Sequence, residues 1–294
     1  MADEQTIHRV AVLGAGTMGN GIAQVCAMAG YDVALHDPQA EAMERALNTI
    51  RANLEKGVDR GKVSLEMRDL AMRSLRKAPT LADAVANADL VIEAAPESMD
   101  IKTAIFSEVD RHAPAHALLG TNTSSLSVSR IAEATGRPEH VIGLHFFNPV
   151  HIMKLLEVVR GGATSQATVD AALTFARRIG KEPIVVTDTP GFASSRLGVV
   201  LGLEAMRMVE QGVATPQDID KAMELGYNHP MGPLKLTDLV GLDVRLGIAE
   251  YLHGELGGEQ YRAPELLRRM VAEGKLGKKS GQGFYDWREN ERNP

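Results

Sequence analysis

The chain has 294 residues, of which 44% are hydrophobic and 24% are charged, and its formal net charge is −6. This length exceeds what one hydrophobic core usually holds, so we expect two domains. The negative charge argues against nucleic acid or an acidic membrane surface as the main partner, while local groups can still hold a small anion.

The single cysteine, Cys26, excludes an intramolecular disulfide and favours a reducing compartment. The segment MADEQTIHRV lacks the layout of a signal peptide, and no apolar run approaches membrane-spanning length. We therefore expect a cytoplasmic protein with no membrane partner, and we expect Cys26 to lie in the core.

Short apolar runs alternate with helical patterns in the first part of the chain. Strands are predicted at residues 10–14, 31–37, 116–122 and 141–147, and residues 88–97 are predicted as a strand with its exit loop. Helical patterns lie at residues 17–30, roughly 39–76 with a break near Gly57 and Gly61, and 101–113. The alternation predicts an α/β fold whose mostly parallel sheet carries helices on both faces.

The pattern changes after the segment PIVVTDTPGF, residues 183–192. Residues 195–212 have apolar side chains at helical spacing. Thr215, Pro216 and Asp218 have the spacing of an N-cap, a first-turn proline and a capping partner. We predict an α/β domain over residues 1–187 and an all-helical domain over residues 188–294.

A glycine-rich loop follows the first predicted strand in VAVLGAGTMGNG. Its G-x-G-x-x-G pattern permits a tight turn at Gly14, approach of a pyrophosphate at Gly16, and close strand–helix packing at Gly19. The helix N-terminus offers free N–H groups to the anion. The residues predicted to bind the cofactor in this loop are Gly14, Gly16, Thr17, Met18 and Gly19.

Asp37 ends the second predicted strand, where an acidic residue binds the ribose diol of a dinucleotide. A carboxylate there repels a 2′-phosphate, so NAD is favoured over NADP. The alternative is a glycine-rich turn without a ligand, which the strand, the helix and Asp37 together disfavour.

Glu97 and Lys102 follow the strand in ADLVIEAAPE. Ligands of open α/β sheets bind beyond the carboxyl ends of the strands, so these side chains are candidates for the cofactor site. The alternative is a solvated helix start, with Glu97 and Asp100 favoured near its N-terminus.

The mostly apolar segment GLHFFNPVHIMKLLEVV, residues 143–159, contains a few polar residues, among them His145, Asn148 and Glu157. A buried carboxylate at Glu157 is costly unless it is paired. If the chain turns back about His151, then His145 lies opposite Glu157 as a cross-strand neighbour. Such a pair suits a general acid/base near neutral pH, and its alternative is a structural ion pair or a satisfied core histidine.

The segment TNTSSL follows another predicted strand. Ser124 and Ser125 are candidates for a helix N-cap, and Ser124 is also a candidate to bind a substrate oxygen. No G-x-S-x-G elbow surrounds Ser124, which disfavours a serine nucleophile. The remaining histidines lack metal-ligand spacing, so no metal site is predicted.

Seven segments, spread over nearly the whole chain, resemble those of a known enzyme family. In order they are GAGTMGNGIA, EAAPE, NTSSL, GLHFFNPV, KLLEVV, DTPGF and HPMGPLKLTDLVGLD. Together they resemble the L-3-hydroxyacyl-CoA dehydrogenase family and, by length, its short bacterial 3-hydroxybutyryl-CoA dehydrogenases. The resemblance implies an N-terminal Rossmann-type domain, a helical C-terminal domain that forms a homodimer, and an active site in the cleft between them. It also implies reversible NAD-linked oxidation of a short 3-hydroxyacyl-CoA in fatty acid metabolism.

The resemblance assigns roles to individual residues. His145 is implied as the catalytic acid/base, Glu157 as the residue that orients it, and Ser124 as the ligand of the substrate's 3-oxygen. Asn148 is implied to help hold the site, and Asp37 to bind the adenine ribose. Further implied contacts are Glu97 and Lys102 near the nicotinamide, with Lys102 also reaching substrate, Lys279 at the cofactor, and, by a looser alignment, Asn53 and Arg60 at the CoA nucleotide.

One departure from the family pattern affects the active site. The family often has an asparagine before the arginine that follows DTPGF, whereas this chain has Ser195 before Arg196. Serine is shorter and has one donor instead of two, so the contact is lost, bridged by water or taken over by Ser194. The departure affects the expected preference for acyl chain length and the turnover rate, and it leaves the expected reaction class unchanged.

Alternative substrates are a longer or dicarboxylic 3-hydroxyacyl-CoA, or a free hydroxy acid. A non-catalytic NAD-binding protein is a further alternative, since fold alone does not fix function. The combination of Ser124, His145 and Glu157 argues against it.

Overall fold

A computed structural model describes residues 7–288 of the chain. Contacts divide the chain into two compact units, Met1–Thr189 and Pro190–Pro294. The sequence predicts the boundary between residues 187 and 188. In the part of the chain that the structure describes, no helix is both long enough and apolar enough to cross a bilayer.

An eight-stranded sheet forms the centre of the first unit, in the order β3-β2-β1-β4-β5-β6-β7-β8. Neighbouring strands pair in parallel except β6 and β7, which are antiparallel. The strands are β1 Arg9–Leu13, β2 Asp32–His36, β3 Leu75–Lys77, β4 Leu90–Glu93, β5 Leu118–Thr121, β6 Val141–Phe146, β7 Leu155–Arg160 and β8 Glu182–Thr187. The predicted mostly parallel sheet is confirmed.

The helices of the first unit connect these strands and cover the sheet. They are α1 Thr17–Met28, α2 Ala40–Asp59, α3 Leu65–Ser74, α4 Leu81–Val85, α5 Met99–His112, α6 Val128–Ala132 and α7 Gln166–Arg178. Helices α1–α3 pack as one group and α4–α6 as another, while α1 and α4 both contact β1. The strands β4, β5 and β6 are buried along their whole length, because a parallel sheet is covered on both faces. Cys26 is buried in this core, as predicted.

The helical prediction for residues 39–76 is correct in its break and wrong at its end. Helix α2 ends at Asp59 and α3 begins at Leu65, with Gly61 in the left-handed region at φ +64° between them. Residues 75–77 form β3 instead of continuing the helix. The strand is short, charged and partly exposed, so it depends on pairing with β2 and not on an apolar pattern of its own.

The second unit is built from helices. They are α8 Ser194–Glu210, α9 Pro216–Gly226, α10 Pro233–Val240, α11 Leu242–Leu256 and α12 Glu265–Ala272. Between residues 190 and 288 only short 3₁₀ turns and isolated bridges accompany these helices. Their core includes Val199, Leu203, Leu234, Leu242 and Leu252, so the predicted helical domain is confirmed.

The predicted helix start at Thr215 is also confirmed. The Thr215 hydroxyl oxygen accepts a hydrogen bond from the Asp218 N–H at 3.2 Å, and the hydroxyl donates to the Asp218 carboxylate at 2.7 Å. Pro216 occupies the first turn, where its missing N–H costs nothing.

We expect Thr215→Ala to lower the free energy of unfolding by about 1 kcal/mol, because an N–H at the start of α9 loses its acceptor. Thr215→Ser keeps the hydroxyl and serves as the matched control. Urea unfolding of the wild type and both variants measures the difference. An alanine variant as stable as the wild type would show that the hydroxyl does not cap the helix.

Candidate active site

The glycine-rich loop has the geometry that its pattern predicts. Gly14 has φ +105°, and a Cβ there would lie 2.6 Å from the Ala94 carbonyl oxygen. A Cβ on Gly19 would lie 1.7 Å from the Gly14 carbonyl oxygen, so α1 packs against β1 only with glycine at this position. A Cβ on Gly16 would meet nothing within 4 Å. The loop therefore leaves open space at Gly16, at the start of α1, where a pyrophosphate can approach.

Asp37 lies directly after β2 and is held by the loop backbone. One carboxylate oxygen accepts a hydrogen bond from the Ala15 N–H, and the other accepts one from the Gln39 N–H, both at 2.9 Å. Each oxygen can accept a further hydrogen bond. The carboxylate is thereby fixed in position beside the glycine-rich loop.

A cavity of about 550 Å³ lies between these elements, within the size range of small-molecule sites. It is lined by Leu13, Gly14, Gly16, Thr17, Met18, His36, Asp37, Pro38, Gln39, Leu81, Ala94, Ala95, Pro96, Ile101 and Ile105. All of these residues belong to the first unit, at the carboxyl ends of β1, β2 and β4. The predicted loop residues Thr17 and Met18 are among them.

A buried charge network lies at the end of β4. The Lys102 ammonium is 1% exposed and donates to the Glu93 carboxylate at 2.7 Å, and it lies 3.4 Å from the Glu97 carboxylate. Glu93 is 0% exposed and also accepts hydrogen bonds from the Ala95 N–H at 2.6 Å and the Thr121 hydroxyl at 2.7 Å. The sequence analysis did not identify Glu93. The signal was present, since a glutamate ends the apolar run LVIE at a carboxyl edge.

Glu97 holds the loop that contains Ser124. One of its carboxylate oxygens accepts hydrogen bonds from the Thr123 hydroxyl at 2.6 Å, the Ser124 N–H at 2.8 Å and the Ser125 N–H at 3.1 Å. The alternative of a solvated helix start describes the position of Glu97, which is exposed and lies two residues before α5, but it does not include these contacts with the Ser124 loop. Helix α5 begins at Met99, and the Glu97 carboxylate is turned toward the neighbouring strand end instead.

The alternative that Ser124 or Ser125 caps the next helix is wrong. Helix α6 begins at Val128, and its cap is Ser127, whose hydroxyl accepts from the Arg130 N–H at 3.2 Å. The Asp188 carboxylate accepts from the N–H groups of Val128 at 3.1 Å and Ser129 at 2.8 Å, which fixes the helix start. The sequence could not show this, because Asp188 is distant along the chain.

The predicted turn about His151 is confirmed. His145 in β6 lies opposite Glu157 in β7, and the Nδ1 atom of His145 is 2.7 Å from the Glu157 carboxylate. The relative exposures of the two residues are 4% and 0%. The Phe147 ring lies against the imidazole, with ring centroids 4.5 Å apart. The carboxylate therefore holds the imidazole ring in one orientation.

The segment after β6 is held by a lysine that the sequence analysis missed. The buried Lys181 ammonium donates to the carbonyl oxygens of Val150 and, at 2.7 Å, Met153. Burial lowers the pKa of Lys181. A Cβ on Gly21 in α1 would lie 2.8 Å from the Val150 Cβ, so this segment also packs closely against α1. Asn148 lies in the same segment and is exposed.

Contacts link the strand ends into one region. Glu97 binds the Ser124 loop, and the Asn122 side-chain oxygen accepts from the Phe146 N–H at 2.9 Å, beside His145. The structure therefore gathers Glu97, Lys102, Ser124, His145, Asn148 and Glu157 around the carboxyl ends of β4, β5 and β6.

Other predicted site residues lie on different elements. On α2, the Asn53 amide donates to the Gln24 side-chain oxygen at 3.2 Å, and Arg60 follows the helix and is exposed. In the second unit, Ser195 lies in the first turn of α8. Lys279 donates to Asp243 at 2.7 Å. Across residues 7–288, no three His, Cys, Asp or Glu side chains are arranged to hold a metal ion.

Comparisons with known proteins cover both units. Residues 9–189 match the family described as 3-hydroxyacyl-CoA dehydrogenase, NAD binding domain, and residues 191–287 match the C-terminal domain of the same family. The first unit therefore carries an NAD-binding domain.

Three similar proteins are between 39% and 46% identical to this chain and are named as dehydrogenases of 3-hydroxyacyl-CoA substrates. A probable 3-hydroxybutyryl-CoA dehydrogenase of Bacillus subtilis is 46% identical over 96% of this chain and 98% of its own length. The solved (S)-3-hydroxybutyryl-CoA dehydrogenase of Ralstonia eutropha is 39% identical, with a TM-score of 0.92 over 96% of this chain and 99% of its own. The 3-hydroxyadipyl-CoA dehydrogenase of Escherichia coli is 44% identical over 96% of this chain and 59% of its own length.

We expect Lys102→Met to lower the free energy of unfolding by about 3–5 kcal/mol, because it leaves the buried Glu93 carboxylate without its cation. The double variant Glu93→Gln with Lys102→Met should lose less than the sum of the two single losses. Lys77→Met removes the cation of an exposed pair with Glu44 and is the control, with an expected loss of about 0–1 kcal/mol. Equal losses for Lys102→Met and Lys77→Met in urea unfolding would contradict the network.

Proposed function

The chain belongs to the 3-hydroxyacyl-CoA dehydrogenase family, an NAD-dependent family of oxidoreductases, and we propose that its substrate is a short-chain L-3-hydroxyacyl-CoA such as 3-hydroxybutyryl-CoA. The reaction is reversible oxidation of the 3-hydroxyl to the 3-ketone. The observation that carries this proposal is the buried contact of His145 with Glu157 within the NAD-binding domain.

His145 is the proposed general acid/base. Because Nδ1 is bonded to Glu157, proton transfer is assigned to Nε2. During oxidation Nε2 takes the proton of the 3-hydroxyl, and Glu157 stabilises the imidazolium that forms. During reduction Nε2 returns a proton to the developing alkoxide. The bound NAD supplies the hydride chemistry, while the protein supplies orientation and charge.

The residues around the cavity fit NAD. The open approach at Gly16 suits the pyrophosphate, and Asp37, already held by two backbone N–H groups, suits the ribose diol. A carboxylate at this position disfavours NADP. Glu97, Lys102 and Lys279 are proposed toward the nicotinamide end, the first two through the network that also holds Ser124.

The acyl-CoA contacts are proposed on the same basis. Ser124 binds the 3-oxygen of the substrate, and Asn148 helps to hold it beside His145. Asn53 on α2 and Arg60, directly after that helix, meet the CoA nucleotide. Lys102 reaches substrate only if its buried ammonium leaves the two carboxylates that hold it.

A homodimer through the second unit is the proposed assembly, and a cytoplasmic role in fatty acid metabolism is the proposed setting. Leu197, Leu225 and Tyr227 of the second unit are 73%, 77% and 75% exposed, which supports an interface there. Sedimentation equilibrium of the full chain tests the dimer, and a monomer at micromolar concentration would contradict it.

A dicarboxylic 3-hydroxyacyl-CoA is the second candidate substrate. The Escherichia coli relative named 3-hydroxyadipyl-CoA dehydrogenase, at 44% identity, supports it. The chemistry at C3 is the same, so only the acyl end of the substrate distinguishes the two candidates.

We expect rapid, saturable NADH oxidation with acetoacetyl-CoA and little with free acetoacetate, because CoA contacts contribute to binding. Longer 3-ketoacyl-CoAs and 3-ketoadipyl-CoA in the same assay rank the acyl ends, and their ranking tests whether Ser195 accompanies a short-chain pocket. Turnover of the free acid alone would contradict the acyl-CoA assignment.

We expect His145→Gln and His145→Ala to lower kcat about a hundred- to ten-thousand-fold while NADH binding is retained, since each removes the proton-transfer group. Glu157→Gln should lower kcat less, because the imidazole remains. His112→Gln, on the exposed end of α5, is the matched control and should leave kcat unchanged. Near-normal turnover in either His145 variant would overturn the assignment.

A further inference from the structure

His36, the last residue of β2, is a buried polar residue to which the proposed mechanism gives no role. Its Nδ1 atom lies 3.0 Å from the carbonyl oxygen of Ala78, the residue that follows β3. His36 is also among the residues that line the cavity beside the glycine-rich loop. One edge of the imidazole is thus bound to the protein, at a residue that lines the proposed cofactor cavity.

The contact with Ala78 fixes the tautomer of the neutral ring. A carbonyl oxygen only accepts hydrogen bonds, so Nδ1 carries the hydrogen and donates it. In the neutral imidazole the other nitrogen, Nε2, is then an acceptor. Within residues 7–288, Nε2 has no hydrogen-bond partner. His36 therefore offers a buried acceptor of fixed orientation at the cavity.

The cavity around His36 is mostly apolar. Four of its lining residues have polar side chains, Thr17, His36, Asp37 and Gln39, and of these only His36 is buried. Thr17 opens α1 beside the proposed pyrophosphate position, and Asp37 is the proposed ribose ligand. The apolar side chains Leu81, Ile101 and Ile105 suit the faces of a flat aromatic ring.

We propose that His36 recognises the adenine ring of NAD by accepting a hydrogen bond at Nε2 from the exocyclic amine. The inference rests on the NAD-binding assignment and adds a specificity residue to it. The β3–α4 connection then has a function, because its Ala78 carbonyl sets the tautomer and it leads directly to Leu81, the first residue of α4, which lines the cavity. An acceptor at Nε2 favours adenine over a base that has a carbonyl oxygen in place of the amine.

Reduced nicotinamide hypoxanthine dinucleotide is the probe, because a carbonyl oxygen replaces the adenine amine; N1 of the base gains a hydrogen at the same time, and the sugars, the pyrophosphate and the nicotinamide are unchanged. Fluorescence titration of the full chain gives dissociation constants for this probe and for NADH. We expect the wild type to bind NADH at least about fivefold more tightly than the probe, because the carbonyl oxygen of the probe and Nε2 of His36 are both acceptors and form no hydrogen bond with each other.

Variants of His36 separate its two nitrogens. His36→Asn keeps a donor for the Ala78 carbonyl but lacks an atom at the Nε2 position, so the two dissociation constants should come within about twofold of each other. His36→Gln reaches further and can present an acceptor oxygen, so part of the preference should return. Gln39→Ala is the matched control at the exposed side of the cavity, and it should leave the preference unchanged.

Equal wild-type affinity for the two cofactors would overturn the proposal without any variant, as would preference for the hypoxanthine cofactor. A preference that survives His36→Asn but disappears in Gln39→Ala would assign recognition to Gln39 instead. The binding readout does not depend on acyl-CoA turnover. If the wild type prefers NADH but does not reduce acetoacetyl-CoA, the proposed substrate is refuted and the His36 inference is not affected. If the wild type reduces acetoacetyl-CoA but shows no preference for NADH over the hypoxanthine cofactor, the His36 inference is refuted and the proposed substrate is not affected.

Discussion

Parallel pairing is the constraint on which the rest of the site depends. Because β1, β2, β4, β5 and β6 all run in one direction, their carboxyl ends meet at one edge of the sheet. Strands β2, β4 and β5 end there in the polar residues His36, Glu93 and Thr121, after buried apolar residues. Side chains that are far apart along the chain, such as Glu97 and the backbone of Ser124, come into contact only through this arrangement. The antiparallel return of β7 then adds Glu157 to the same edge.

The features that the sequence predicted well are those with local or periodic signals. The glycine positions follow from backbone geometry, since Gly14 and Gly19 have no room for a Cβ. The Thr215 cap follows from spacing within one helical turn. The pairing of His145 with Glu157 followed from two requirements, a buried carboxylate that needs a partner and a mirrored spacing about a turn.

The features that the sequence missed depend on partners that are distant along the chain. Strand β3 has no apolar alternation, and it forms because its backbone pairs with that of β2. The start of α6 is set by Asp188, about sixty residues away along the chain. The roles of Glu93 and Lys181 depend on burial, which composition does not reveal for a charged residue. Lys181 holds carbonyl groups that no motif marks.

Buried charge is itself an argument about function. Removing an ion pair from water costs several kcal/mol per ion, and apolar residues of similar volume are often as stabilising as the pair. Stability alone therefore does not account for the Glu157 carboxylate beside His145, or for Glu93 and Glu97 around Lys102. Both clusters lie at the edge where a ligand of an open α/β sheet binds. The first can hold a proton-transfer group in one orientation, and the second can fix the loop that presents Ser124, which is the arrangement that the proposed hydride-transfer reaction requires.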